Sequence, residues 1–242
     1  MKNDDRKSVR RPRVFGALFA GFAVLVAARP APAVDGVIEI NQSRALAGGI
    51  TAGDSPNYPI RLNTSGSYRL TSNLTAALNN SGIEVNADDV TIDLNGFTLT
   101  GGGGLIADGI GIGGSKNIEI RNGTIRAFTR SGIFTNSATQ FIRVIGVTSI
   151  GNVTAGIDLQ GQGNIIDGCT VWNNGYGMRA FEGSLVINSV ARGNTLEGLI
   201  LIGGSGYRSN VLTGNNGSDA NAQVSGGFPL GPNVCGTDLT CP

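Results

Sequence analysis

Three charged residues, Glu84, Asp158 and Arg179, each follow a glycine and a large apolar residue in the sequence. If the apolar residue points into a core, the charged residue after it points outward, because side chains alternate along a strand. Arg179 could then act as a base or charge neutraliser for a uronate, with Asp158 or Glu84 as the acid or a metal ligand. This shared spacing defines the candidate functional face of the chain.

The same phrase occurs six times, and the residues after it form two outward columns. The first column reads Glu84, Gly111, Phe134, Asp158, Arg179 and Ile200, and the second reads Asn86, Gly113, Asn136, Gln160, Phe181 and Ile202. Aromatic rings stack on sugar rings, and amides and charged groups bond to sugar hydroxyls. We therefore predict an exposed polysaccharide-binding patch made of Glu84, Phe134, Asn136, Asp158, Gln160, Arg179 and Phe181.

The same residues also have a purely structural interpretation. Asp158 and Arg179 would be an ordinary cross-strand ion pair, whose contribution to stability is small when it is exposed. Phe134 and Phe181 would be scattered apolar residues on the surface, which are common in soluble proteins.

Composition excludes most catalytic constellations. The chain has no histidine, which removes His-based triads, His general bases and His zinc sites. Two methionines and three scattered cysteines argue against copper or zinc, so we predict no metal and no cofactor. Asp88 and Asp89 are typical of a turn before Val90, and Asp93 and Asp167 are several repeats apart, which argues against a calcium cluster. The catalytic residues are therefore left unassigned.

A repeat of 21 to 27 residues must position these side chains. The glycine-led phrase begins at Gly82, Gly109, Gly132, Gly156, Gly177 and Gly198, with spacings of 27, 23, 24, 21 and 21 residues. A second marker keeps nearly the same period, at Asn95, Asn122, Ile145, Asp167, Asn188 and Asn210. A third ends many repeats, as in Gly151-Asn152 and Asn173-Asn174.

Apolar and polar residues alternate between the markers, which predicts two or three short strands in each repeat. Glycine and asparagine tolerate the positive φ angles of tight turns, and stacked asparagine amides can bond to one another. We expect like strands to pair in parallel, one repeat on the next.

The segments 66–74 (GSYRLTSNL) and 90–96 (VTIDLNG) carry a family resemblance. The repeat resembles the right-handed parallel β-helix of the pectate-lyase-like superfamily, and more narrowly the exported bacterial right-handed β-helix repeat proteins, over residues 35–217. This resemblance implies an all-β, single-domain solenoid of about six coils with a short N-terminal cap. In similar proteins this strand face commonly bears a polysaccharide cleft, although the scaffold hosts many activities.

The two ends of the chain differ from the repeat. Residues 1–33 combine a basic start, an apolar stretch and Ala31-Pro32-Ala33, which predicts a signal peptide cleaved after Ala33 and an exported chain that does not span a membrane. Residues 34–60 are predicted to form an N-terminal cap with a strand and a short helix. Residues 61–217 form the β-helix, and residues 218–242 form a loose tail over the last coil.

Charge and cysteines agree with export. The first 33 residues hold seven of the 18 Lys and Arg residues and two of the 17 Asp and Glu residues, so the remainder has a net charge of −4. A mildly acidic surface argues against nucleic-acid binding. A Cys235–Cys241 disulfide is expected in an oxidising compartment, and Cys169 is expected to be a buried apolar residue.

Three functions fit these observations. The first is a non-catalytic module that binds a polysaccharide or a glycan of the cell envelope. The second is a small polysaccharide lyase or glycoside hydrolase. The missing histidine disfavours it, as does the absence of the Asn-Thr-Asp, Gly-His-Gly and Arg-Ile-Lys segments of the similar polygalacturonase-like hydrolases. The third is a structural or adhesive surface protein. The sequence does not identify the ligand or the oligomeric state.

Overall fold

The computed structural model describes residues 36–237, which form a parallel β-solenoid. The predicted signal peptide and Cys241 lie outside the described residues. Helix α1 spans Gln42–Ala47. The strands are β1 (Val37–Ile40), β2 (Ile60–Leu62), β3 (Gly66–Leu70), β4 (Leu74–Thr75), β5 (Ile83–Val85), β6 (Val90–Asp93), β7 (Thr98–Thr100), β8 (Ile110–Ile112), β9 (Lys116–Arg126), β10 (Ser131–Thr135), β11 (Gln140–Ile150), β12 (Ala155–Leu159), β13 (Ile165–Asp167), β14 (Thr170–Trp172), β15 (Tyr176–Ala180), β16 (Leu185–Ile187), β17 (Val190–Arg192), β18 (Leu199–Leu201), β19 (Gly206–Arg208), β20 (Val211–Thr213), β21 (Val224–Ser225) and β22 (Phe228–Pro229).

Two sheets wrap around one apolar core. An eight-stranded sheet has the order β2-β5-β8-β10-β12-β15-β18-β21, and its strands are those that the glycine-led phrase predicts. A 14-stranded sheet has two rows, β1-β3-β6-β9-β11-β13-β16-β19-β22 and β4-β7-β9-β11-β14-β17-β20. The 11-residue strands β9 and β11 belong to both rows because they bend at the corner between them. Every pairing between these strands is parallel, as predicted, and joins one coil to the next.

The corner between the two rows explains the second sequence marker. At this corner Asn122, Gly146, Gly168, Asn188 and Ser209 adopt positive φ angles between 53° and 61°. This left-handed conformation turns the strand sharply, and glycine and asparagine adopt it at low cost. In three repeats the residue that makes the turn is one position away from the predicted marker. It is Gly146 rather than Ile145, Gly168 rather than Asp167, and Ser209 rather than Asn210.

The third marker forms a ladder of amides inside the solenoid. Asn152, Asn174, Asn194 and Asn215 are buried one above the other. In each step the backbone N–H and the Nδ2 of one asparagine donate to Oδ1 of the next, at 2.8–3.1 Å. The side chain of Gln223 accepts the last pair of these hydrogen bonds and closes the ladder. Every buried amide is thus paired, as the cost of an unpaired buried polar group requires.

Both ends extend the stack beyond the six predicted coils. Strand β2 comes before the first glycine-led phrase and β21 after the last, so the solenoid has about seven turns. The predicted strand and short helix of the N-terminal segment are β1 and α1, and β1 pairs with β3.

Residues 218–237 are not the loose tail that we predicted. Strands β21 and β22 pair with β18 and β19 and form a further rung. The exposed N–H and C=O groups at the edge of the last coil favour this pairing, even where the segment is rich in glycine.

The cysteines have different environments. Cys169 is buried and free, and burial raises the pKa of its thiol to about 11. Cys235 is buried and disulfide-bonded; its predicted partner is outside the described residues. In the described range, residues 36–237, no helix is long and apolar enough to cross a membrane.

Candidate functional site

The eight-stranded sheet brings the predicted columns together on its outer face, which is the side away from the core. The register pairs Glu84 with Gly111, Gly111 with Phe134, and Phe134 with Asp158. It then pairs Asp158 with Arg179. This order is the one that the repeat predicts for the first column, so the sequence located these residues on the correct strands and the correct side.

Asp158 does not have the exposure that we predicted. It faces outward, but only 2% of it is exposed. Its Oδ2 accepts hydrogen bonds from Nη1 of Arg179 at 3.2 Å and from Nε2 of Gln160 at 3.1 Å. Asp158 and Arg179 therefore form the cross-strand ion pair of the structural interpretation, with the carboxylate buried and the Arg179 side chain 23% exposed.

A second carboxylate–arginine pair lies beside the first, and the sequence analysis missed it. Asp108 accepts from Nε of Arg130 at 2.9 Å, and its Oδ2 lies 2.6 Å from Nη2 of the same guanidinium. Its Oδ1 also accepts the backbone N–H of Ser131 at 3.1 Å. Asp108 comes immediately before the glycine of its repeat, at a position that the two predicted columns do not include. The acidic residue at this position was the available signal.

Aromatic rings contact the guanidinium groups of both arginines. The guanidinium carbon of Arg130 lies 3.7 Å from the centre of the Phe134 ring. The guanidinium carbon of Arg179 lies 5.1 Å from the ring centre of Tyr176 and 5.5 Å from that of Phe181. Cation–π attraction of this kind is stronger where water is excluded. The two phenylalanines are therefore part of one polar and aromatic network rather than scattered surface residues.

Burial sets the electrostatics of this network. It raises the pKa of Asp158, and the charge of Arg179 opposes the rise. Burial also raises the pKa of Asp108, with Arg130 opposing. Within the described part of the chain, Asp158 Oδ1, Ser131 Oγ and Arg179 Nε are buried without a hydrogen-bond partner. The network thus retains two donors and an acceptor that its own side chains do not satisfy.

An open depression of about 220 Å³ lies next to this network on the outer face. We call it the glycine trough. It is lined by Glu84, Asn86, Gly111, Ile112, Gly113, Phe134 and Asn136.

The trough forms because two outward positions are glycine and carry no side chain. Both outward positions of the β8 coil are glycine, and a Cβ added to Gly111 or Gly113 would meet no atom within 4 Å. The coils on either side carry Glu84 and Phe134, so the trough is one coil wide, between an acidic and an aromatic side chain. Two of its lining residues, Phe134 and Asn136, also belong to the predicted patch.

Glu84 and Asp158 lie far apart on the outer face. They lie three strand spacings apart on the sheet, or about 14 Å at the backbone. This distance exceeds the roughly 5–9.5 Å between the two carboxyl groups of most glycoside hydrolases. Glu84 instead pairs with Arg61 of the preceding coil at 3.2 Å. Among residues 36–237, no three carboxylate or cysteine side chains are grouped to hold a metal ion.

Asp88 and Asp89 have the turn role that the sequence predicts. Oδ1 of Asp88 accepts the backbone N–H of Lys116, and Oδ1 of Asp89 accepts from Nδ2 of Asn117. Asp93 pairs with Arg121 at 3.3 Å on the other sheet. These carboxylates stabilise corners and coil-to-coil contacts away from the outer face.

Comparison with known proteins identifies the same architecture. The family described as "Right handed beta helix region" matches residues 60–217. A solved structure, "Crystal structure of pectate lyase Pel9A", superposes with a TM-score of 0.53 and 14% sequence identity, over 80% of this chain and 57% of that one. The chain therefore spans little more than half of the length of that enzyme, and at this identity the likeness concerns the fold alone. No curated protein sequence matches the chain.

Proposed function

Since the chain belongs to the right-handed β-helix family, we propose that it is a non-catalytic module that binds a polysaccharide on the outer face of its eight-stranded sheet. The single observation that carries the proposal is the glycine trough, which places Phe134 and the amides of Asn86 and Asn136 around an open depression. A sugar chain needs an aromatic surface for its ring faces and polar groups for its hydroxyls. The adjacent arginine network adds charged donors at the edge of the same face.

The contacts of the charged residues favour binding over cleavage. A general acid or base must reach the reacting bond, but Asp158 is covered and engaged with Arg179 and Gln160. One carboxylate oxygen of Glu84, Oε2, pairs with Arg61. These groups hold a preformed surface, and a preformed surface lowers the entropic cost of binding a flexible chain.

The proposal includes export of the chain. The basic and apolar segment over residues 1–33 supports secretion into the periplasm or to the cell surface, where polysaccharides are found. The glycan is accordingly a polymer of the cell envelope or of the surroundings.

A second function, polysaccharide cleavage, is favoured by one observation. Burial raises the pKa values of Asp108 and Asp158, and perturbed carboxyl groups are common at catalytic sites. In that case Arg179 would neutralise a uronate, and Arg179→Ala would abolish uronate-dependent activity. A structural or adhesive role is the third candidate, and it requires no ligand on the outer face.

A glycan panel with product detection separates the three functions. Retention on one class of glycan without change in chain length is the result that we expect. Release of unsaturated uronate products would identify a lyase, and hydrolytic fragments a hydrolase. Absence of both binding and cleavage would contradict the proposal and leave the structural role.

A matched pair of variants locates the binding surface. Phe134→Ala removes the aromatic side of the trough and should weaken glycan binding about tenfold, which is the effect of losing about 1.4 kcal/mol of stacking. Phe141→Ala removes an exposed phenylalanine from the other sheet and should leave binding unchanged. Circular dichroism checks that both variants are folded. Equal affinities of the two variants would exclude the trough as the binding surface.

A further inference from the structure

The outer face carries a second column of amides that is interrupted at one position. Asn63, Asn86, Gly113, Asn136 and Gln160 follow one another, coil after coil, in the register of the flanking strands. Four of the five residues carry a side-chain amide, and the glycine leaves one step of the column empty. The empty step is in the floor of the glycine trough.

Backbone partners fix the orientation of the amides next to the gap. Nδ2 of Asn63 donates to the carbonyl of Ala52, so its Oδ1 faces Asn86 and accepts from Nδ2 of Asn86 at 2.9 Å. Oδ1 of Asn136 accepts the backbone N–H of Ala138 at 3.0 Å. Asn86 is therefore left with its oxygen for the gap, and Asn136 with its nitrogen.

Asn86 is exposed and Asn136 is half-buried. Within residues 36–237, the side chain of Asn86 bonds through Nδ2 to Asn63 and that of Asn136 through Oδ1 to Ala138, which leaves Asn86 Oδ1 and Asn136 Nδ2 open to a ligand. Strands in a sheet are about 4.8 Å apart, so the two residues are separated by about 9.6 Å, which is the room that one stacked amide occupies. The inner ladder shows that this fold stacks amides on successive coils, with Nδ2 to Oδ1 distances of 2.8–3.1 Å.

We infer that the empty step binds the acetamido group of an N-acetylated sugar. The N–H of the acetamido group donates to Asn86 Oδ1, and its carbonyl accepts from Asn136 Nδ2, which continues the donor-to-acceptor direction of the Asn63–Asn86 pair. The bare backbone at Gly111 and Gly113 admits the group, and the sugar ring packs against Phe134. This inference rests on the proposed function and specifies its ligand as a polymer of N-acetylhexosamine.

Phe134 is the reason to favour a sugar over an isolated amide. It lines the trough beside the gap while Arg130 contacts its ring, so a ligand that fills the step also packs against an apolar ring. The carboxylate of Glu84 lies on the opposite side and can accept a hydrogen bond from a sugar hydroxyl. An acetamido sugar has all three features: an amide, a ring face and hydroxyl groups.

Two oligosaccharides that differ only at this group test the inference. The probes are a β-1,4-linked oligomer of N-acetylglucosamine and the glucose oligomer of the same length and linkage, which has a hydroxyl in place of the acetamido group. Calorimetric titration of the full chain should give at least about tenfold tighter binding of the N-acetylated oligomer, as expected from two hydrogen bonds. Saturation-transfer NMR should show its strongest effect at the acetyl methyl group.

A single substitution can fill the gap in the amide column with a side chain of the protein. Gly113→Asn places an amide in the gap and should reduce binding of the N-acetylated oligomer at least about tenfold, while the protein stays folded. Gly168→Asn is the matched control, because it adds the same side chain at an open corner position on the other sheet, and it should leave binding unchanged.

The outcomes distinguish this inference from the proposed function. Equal binding of the two oligomers, or full binding by Gly113→Asn, overturns the acetamido assignment and leaves the binding function intact. Binding of other glycans on the panel but of neither oligomer does the same. Failure of every glycan to bind overturns both.

Discussion

Gly156 and Asn174 occupy one corner of the solenoid in such a way that neither residue type can be changed alone. A Cβ on Gly156 would lie 3.0 Å from Nδ2 of Asn174 and 2.9 Å from the carbonyl oxygen of Gly177. The same distance of 3.0 Å to Nδ2 separates a Cβ on Gly177 from Asn194. In four of the six phrases, those of Gly132, Gly156, Gly177 and Gly198, the first glycine therefore leaves room for an amide of the ladder. Two markers that are separate in the sequence form a single contact in the structure.

This contact predicts opposite effects for two glycine-to-alanine changes. Gly156→Ala should destabilise the protein by about 1–3 kcal/mol, because the added methyl group lies too close to the carbonyl oxygen of Gly177 and crowds the amide of Asn174. Gly111→Ala, in the open trough, should stabilise it by about 0.5–1 kcal/mol, since alanine loses less backbone entropy in a strand. Urea unfolding measures both free energies. Equal effects of the two changes would show that the glycine-led phrase is not required by the ladder.

The ladder itself should be a large contributor to stability. Asn174→Ala removes the acceptor that the backbone N–H and the Nδ2 of Asn152 share. The Nδ2 group keeps its second acceptor, Ser149 Oγ at 2.9 Å, but the backbone N–H is left buried without a partner, which costs about 1–3 kcal/mol in the free energy of unfolding. Asn80→Ala, which removes only a local hydrogen bond to the carbonyl of Leu78, should change stability by less than about 0.5 kcal/mol. Similar losses in both variants would contradict the role of the ladder.

Most of the fold could be predicted from the sequence because the repeat is a physical constraint. Each coil needs an apolar residue at every second position of its strands, and residues that tolerate a positive φ angle at its corners. Both requirements produce a pattern that can be recognised in the sequence. The count of coils was low because β2 and β21 have no glycine-led phrase. The final rung was missed because two-residue strands are set by pairing with the coil before them rather than by their own composition.

The candidate site was predicted only in outline. Alternation gave the face and the columns, but not the depth of a side chain, so Asp158 was expected to be exposed. Its burial depends on Arg179, Gln160 and the rings around them, and on how these pack across coils. The gap in the amide column was not recognised either, because it becomes visible only when the strand register aligns Gly113 with Asn86 and Asn136.

The cysteines provide a simple test of the core. Burial raises the pKa of Cys169 to about 11, so at neutral pH its thiol is protonated and unreactive. Without reductant, the folded protein should therefore show no thiol reaction with Ellman's reagent, and the protein unfolded in urea should show about one equivalent per chain. Rapid reaction of the folded protein would mean that this part of the core opens readily.

The raised pKa of Asp158 predicts how stability depends on pH. Burial raises this pKa in the folded state, so the folded protein holds the proton more tightly than the unfolded chain does. The stabilising effect of the bound proton is present below the ordinary aspartate pKa of about 4 and is lost as pH rises through the folded value. Asp108 acts in the same direction.

Asp158→Asn isolates this contribution. The variant keeps the shape of the side chain but removes its titration, so its free energy of unfolding should fall less than that of the wild type as pH rises from about 4. Urea unfolding at a series of pH values gives the two curves. A steeper fall for Asp158→Asn would mean that the charge of Arg179 outweighs burial at this carboxylate, so that the ionised pair stabilises the outer face.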